Sequence, residues 1–207
     1  LKDRIHFGIS GKFEKRKHTE KIIKTWLKKY GNNNKYLLSC CVTNPFFKPE
    51  DMQKVIANLM EGQYYSNINF IPWLKTNAEM NEFLNAIDID LTGLSGGEGW
   101  NLPSFNATCL GKWSIVLNET SHKDWATPEN SILVESDGKI PAHDGVFFLK
   151  GHEFNQGEFY SWSEEAVVVA MESAVKKYKV SNVSGIEMSK KFSYKNTAEI
   201  ILDKVFS

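Results

Sequence analysis

Short apolar runs alternate along this chain with segments of helical period, and few folds accept that alternation. Residues 5–9, 36–42, 68–71, 89–94, 113–117 and 131–134 read as strands. Between the first two, Ile22, Ile23, Trp26, Leu27 and Tyr30 recur at helical spacing over residues 18–30. Val55, Ile56 and Leu59 do so over residues 49–60, and further helices are expected at 80–87 and 103–110. The 36–42 run is apolar at consecutive positions, as a strand covered on both faces must be. The pattern predicts a Rossmann-like α/β fold: a parallel sheet with helices on both faces, joined by right-handed crossovers.

Residues 135–157 break this rhythm. The segment is rich in Gly, His, Asp and Phe and is long for a connection. It is expected to be an inserted surface loop anchored by Phe147, Phe148 and Leu149. Beyond it, Ser161 and Glu164 have the spacing of a capping box, and helices are expected through 163–207. The length of 207 residues suits one domain over 1–207. The chain opens at Leu1 and reaches a strand-like run by Ile5, so a preceding amino-terminal domain is expected to be missing. The amphipathic tail, with Ala198, Ile201, Leu202 and Val205, would then pack back across that boundary.

Composition narrows the partners. Lys plus Arg and Asp plus Glu each number 25, so no whole-molecule field draws the chain to nucleic acid or to an anionic membrane. Any phosphate must be held by a local cluster. Cys40, Cys41 and Cys109 lack the spacing of a disulfide framework, which points to a reducing cytosol. No apolar run is long enough to span a membrane. Membrane association would come only peripherally, through the missing domain.

Two segments carry candidate chemistry. In the first, a strand runs into Gly11, then Lys12, Arg16 and Lys17, then a helix start at His18-Thr19. Glycine lets a ligand approach the backbone, and a helix start adds free N–H groups and partial positive charge to the three cations. The set suits a diphosphate, although it is neither a P-loop nor GxGxxG. A plain solvated basic loop explains it equally well. The second segment is Gly96-Gly97-Glu98-Gly99-Trp100-Asn101-Leu102-Pro103-Ser104-Phe105-Asn106, after the fourth strand. Open α/β sheets bind ligands at that edge. Glu98 can accept hydrogen bonds from vicinal sugar hydroxyls, and the backbone N–H groups can meet phosphate.

Glu98-Gly99-Trp100-Asn101-Leu102-Pro103 resembles the Glu-Gly-Phe-Gly-Leu-Pro stretch of glycosyltransferase family 4, of the GT-B superfamily. Gly11-Lys12 with Lys17 resembles that family's Gly-Arg and later Lys. Asp88, residues 107–116, and Phe192-Ser193-Tyr194 with Thr197-Ala198 resemble further landmarks, in family order. The resemblance implies the carboxyl-terminal, donor-binding half of a retaining hexosyltransferase, inactive by itself. Lys12 and Lys17 would neutralise the donor diphosphate, and Glu98 would hold the transferred sugar. Gly11, Arg16, Gly97, Gly99 and the backbone of Trp100, Asn101 and Leu102 would line the site, and Pro72 and Trp73 would meet the base. The donor is a nucleotide diphosphate sugar, the acceptor is open, and no cofactor or metal is implied.

The chain departs from the family at several of these positions. Asn106 stands where the family carries a second glutamate, so a ribose hydroxyl would meet an uncharged group. Lys12 replaces an arginine, which removes bidentate phosphate binding. Trp100 and Asn101 replace Phe and Gly. A non-catalytic nucleotide-sugar or carbohydrate-binding module is the alternative that these changes allow. A dehydrogenase is disfavoured by the missing GxGxxG. His143-Asp144 and His152-Glu153 lack recognised metal-ligand spacing, and His122 reads as a surface loop residue.

Overall fold

The computed structural model describes residues 4–144, 148–154 and 157–206 of the chain. Its strands are β1 (Ile5–Lys12), β2 (Tyr36–Thr43), β3 (Ile68–Phe70), β4 (Ile89–Asp90), β5 (Trp113–Leu117), β6 (Ser131–Val134), β7 (Gly138–Pro141) and β8 (Glu158–Ser161). Its helices are α1 (Thr19–Tyr30), α2 (Pro49–Leu59), α3 (Asn77–Ala86), α4 (Leu102–Cys109), α5 (Glu164–Lys177), α6 (Val183–Lys191) and α7 (Tyr194–Phe206). The first six strands form one parallel sheet in the order β3-β2-β1-β4-β5-β6.

Helices cover both faces, as the apolar runs require. On one face Ile22, Ile23 and Trp26 of α1 and Val167 and Met171 of α5 pack with Phe7, Ile9, Leu38 and Ile115. On the other, Phe83 and Leu84 of α3 and Ala107 of α4 meet Cys41, and Met188 of α6 meets Val116. Neighbours along a strand thus face opposite layers: Cys40 and Cys41, or Ile115 and Val116. Each fully buried Ile, Leu or Phe contributes roughly 1.5–3 kcal/mol to this sandwich.

Three expectations about elements are corrected. The fourth strand ends at Asp90, not at residue 94. Residues Thr92–Leu94 form a 3-10 turn, and Thr92 Oγ1 accepts from Ser10 N (3.0 Å) where a strand carbonyl would have stood. Helix α3 starts at Asn77 rather than residue 80, because Thr76 and Glu79 form a capping box ahead of the first apolar residue. The insertion is not a plain loop: it holds β7, which pairs antiparallel with β8 just beyond its end. Its anchors are the buried Ala142 and Phe159, whereas Phe148 and Leu149 are exposed; Phe147 lies outside the described residues.

Candidate functional site

Strand β1 lies between β2 and β4, so the chain runs outward to β3 on one side and later outward to β6 on the other. The loops leaving β1 and β4 diverge at the carboxyl rim, the place where open α/β sheets form a ligand crevice. Both candidate segments stand there.

The turn after β1 supplies charge. Gly11 has φ 126°, a conformation that side chains avoid, and a β-carbon there would meet Cδ of Lys17 at 3.6 Å. Residues Lys15–Lys17 form a 3-10 turn that brings Arg16 and Lys17 towards the β4 turn. Lys17 Nζ lies 2.5 Å from Glu98 Oε1, and Arg16 lies 3.2 Å from Glu98 Oε2. Arg16 also pairs with Glu14 (2.6 Å) and donates to the carbonyl of Gly97. The backbone ties the turns together, since Arg16 O accepts from Gly96 N (2.8 Å). Lys12 is not part of this cluster. It is exposed, its ammonium lies 5.4 Å from the Phe46 ring centroid, and it makes no ion pair among the described residues.

The turn after β4 supplies shape. Burial pushes the Glu98 carboxyl up, but Lys17, then Arg16 and Ser95, outweigh it and hold the pKa below its usual value. A β-carbon on Gly96 would lie 2.3 Å from Tyr160 O of β8, so packing demands glycine there. Gly97 and Gly99 are different. A β-carbon would meet only Arg16 at 3.8 Å in the first case and open space in the second. These two leave backbone accessible to a ligand. Below the turn, buried Asp90 accepts from Thr92 N (3.1 Å) and Ser104 Oγ (2.7 Å). Burial raises its pKa against those bonds.

The remaining sequence-predicted residues divide. Trp100 turns its ring away from the crevice, edge-on to Phe105 and Phe192 at 5.5 and 5.2 Å. The Asn101 side chain is buried, donating to Thr92 O (3.0 Å). What these two can offer a ligand is backbone. Leu102 and Asn106 are exposed on α4. Pro72 and Trp73 follow β3 on the same rim, and Trp73 is 61% exposed.

His122 corrects the expectation of a surface residue. It is completely buried, with Nε2 3.0 Å from Asn101 Nδ2. Sequence offered one sign, Trp125 three residues on, whose ring lies 5.8 Å from the imidazole. Buried polar atoms also gather at this rim. Ser10 Oγ, Asn101 Oδ1, Thr120 Oγ1 and Ser121 Oγ have no hydrogen-bond partner among the described residues. Thr120 has φ 56°, a costly conformation for a β-branched residue. Native interiors leave few polar atoms unpaired, so this concentration marks the rim.

A cavity of about 510 Å³ opens elsewhere, on the outer side of the β1 turn, between Phe13, Phe46, Val55 and Ile140. Lys17 and Glu98 do not line it. Among the described residues no three His, Cys, Asp or Glu side chains gather as metal ligands would, and no helix is long and apolar enough to cross a membrane.

No family model and no curated protein matches the sequence. Solved structures do match the fold. The C-terminal domain of a glycosyl transferase group 1 family protein (LpcC) from Francisella tularensis superposes with TM-score 0.64 at 17% identity, over 90% of this chain and 85% of that one. HepE from Anabaena, in complex with UDP and glucose, gives TM-score 0.71 at 10% identity, over 99% and 49%. Sucrose-phosphate synthase from Thermosynechococcus elongatus gives 0.71 at 12%, over 100% and 45%. The chain therefore spans about half the length of the latter two. At these identities the likeness establishes architecture: a Rossmann-like α/β fold matching the carboxyl-terminal domains of GT-B glycosyl transferases.

Proposed function

We propose that this chain is the donor-binding domain of a retaining glycosyltransferase, which moves a hexose from a nucleotide diphosphate sugar to an acceptor. The observation that carries the reading is the Lys17–Glu98 contact at the β1/β4 crevice. A cation able to meet diphosphate and a carboxylate able to hold sugar hydroxyls stand within one sugar-phosphate length of each other. In the free protein each satisfies the other. A bound donor would separate them: Lys17 and Arg16 turn to the phosphates and Glu98 to the sugar. Gly97 and Gly99 leave the intervening backbone open, and the first turn of α4 faces anions with its N–H groups. HepE and a starch synthase IV, whose structures hold UDP and ADP, share this fold, which supports the donor class.

In transfer, the bond from the sugar's anomeric carbon to the diphosphate breaks, the acceptor oxygen takes its place, and the acceptor's proton passes to the departing diphosphate. Negative charge grows on the departing diphosphate, where Lys17 and Arg16 stabilise it. Lys12 would join them by leaving the Phe46 ring. Acceptor groups would come from an amino-terminal domain, against which the exposed apolar residues of α7, including Ile201, Val205 and Phe206, would pack.

A panel of UDP-, ADP- and GDP-sugars, measured by calorimetry and thermal shift, tests the reading. One nucleotide sugar should raise the melting temperature by mass action, and Glu98→Gln should weaken that sugar more than the bare nucleotide diphosphate. Binding of no nucleotide by the chain overturns the proposal. Binding without any sugar transfer or donor hydrolysis by the protein with its amino-terminal domain favours the non-catalytic module.

A further inference from the structure

Asn101 leaves the β4 turn with φ 61° and ψ 59°, a left-handed conformation that glycine takes freely and other residues take at a cost. Its side chain does not cap α4. Instead Nδ2 donates to Thr92 O at 3.0 Å and lies 3.0 Å from His122 Nε2. On the other side of the ring, His122 Nδ1 lies 2.9 Å from Leu117 O. A carbonyl only accepts, so Nδ1 carries the ring proton and Nε2 presents a lone pair. The Asn101 amide therefore faces two acceptors, and its orientation is set. His122 reaches this position from the loop after β5, while Asn101 belongs to the turn after β4.

We propose that His122 is a positioning residue: with Asn101 it forms a latch that holds the left-handed exit of the Gly96–Asn101 turn, doing with two side-chain hydrogen bonds what a glycine at 101 would do by conformational freedom. The latch fixes the direction in which Gly97, Gly99 and the first turn of α4 present their backbone. This rests on the reading of that turn as the donor-binding turn. His122 itself touches no donor in this role. Its surroundings suit a neutral ring: burial acts most strongly against the charged form, and the charges that act on it, Glu98 and Lys17, work in opposite directions and already pair with each other.

A double-mutant cycle tests the latch. His122→Leu fills similar space without a lone pair, and His122→Gln keeps an acceptor for Asn101 and a donor for Leu117. Each is made in the Asn101 protein and in the N101G background. Calorimetry with UDP and UDP-glucose reads binding, and amide hydrogen exchange over residues 97–105 reads the turn without any ligand. In the Asn101 protein, H122L should weaken binding about tenfold and speed exchange of the turn by a similar factor, with H122Q recovering most of both. In the N101G background the H122L loss should shrink to within about twofold. Equal losses in both backgrounds, or no recovery by H122Q, make His122 a packing residue and overturn the proposal. If the parent binds neither probe, the donor reading is what these probes fail to support, and the exchange rates still decide the latch. If H122L does not fold, H122A in the two backgrounds gives the same comparison.

Discussion

The two turns of the crevice are built in opposite ways. The turn after β1 lies near the surface and is made of charge: Glu14, Arg16 and Lys17, held partly by each other. The turn after β4 is made of glycine and rests on a buried polar floor of Asp90, Thr92, Asn101, Ser104 and His122. One supplies a field that can be redirected when a ligand arrives. The other supplies a shape that must stay fixed. The division fits a site where charge must move and backbone must not, since preorganised dipoles stabilise developing charge only if they do not relax.

Breaking the floor should have the largest effect. Asp90→Ala leaves Thr92 N and Ser104 Oγ unpaired in a fully buried site, and two such orphans cost about 3 kcal/mol together. Urea denaturation should show that loss; a change below about 1 kcal/mol would mean the floor is not rigid. Charge on the other turn should separate by position. Lys17→Met leaves a mostly buried carboxylate with Arg16 alone and should cost about 1–2 kcal/mol of stability. Lys12→Met should change stability by less than about 0.5 kcal/mol, because Lys12 is exposed. Both should weaken UDP binding. Equal stability losses would erase the distinction between the two lysines.

The smallest effect is a pH dependence shared by both turns. One histidine lies beneath each: His18, with Nε2 2.8 Å from Tyr160 O, and His122. Burial is the largest influence on each and lowers both pKa values from 6.5. The unfolded chain then binds protons that the folded chain excludes, so their contribution is present above about pH 6.5 and falls as pH drops through that value towards the lowered ones. Melting temperature should decline over that window. In a His122→Gln variant the decline should be shallower, and an unchanged slope would remove His122 from the account.

Much of the framework could be read in advance because its signals are local. Continuous apolar runs such as residues 36–42 become a strand wherever helices cover both faces, and Trp26 repeats with its neighbours at a period only a helix satisfies. Lys17 and Glu98 could be nominated because glycine and charge cluster visibly around them. Other features escaped. Leu91 and Leu94 prolong an apolar run, yet β4 stops at Asp90 because a side chain, Thr92 Oγ1, takes the next bond from β1. The hairpin β7–β8 has few buried residues to show a period, and its seat is the bond from Tyr160 N to the carbonyl of Gly96 (2.9 Å), a residue far away in the chain.

Sequence alone determined the layers, the strand–helix alternation and the presence of two glycine-bearing turns after strands, because apolar period and backbone permissiveness are properties of short stretches. Tertiary structure decided which charges meet, which way Trp100 and Asn101 face, and that His122 lies inside. Each of those depends on groups brought together from separate strands. Its outcome is set by the burial and hydrogen-bond partners that exist only once the sheet has formed.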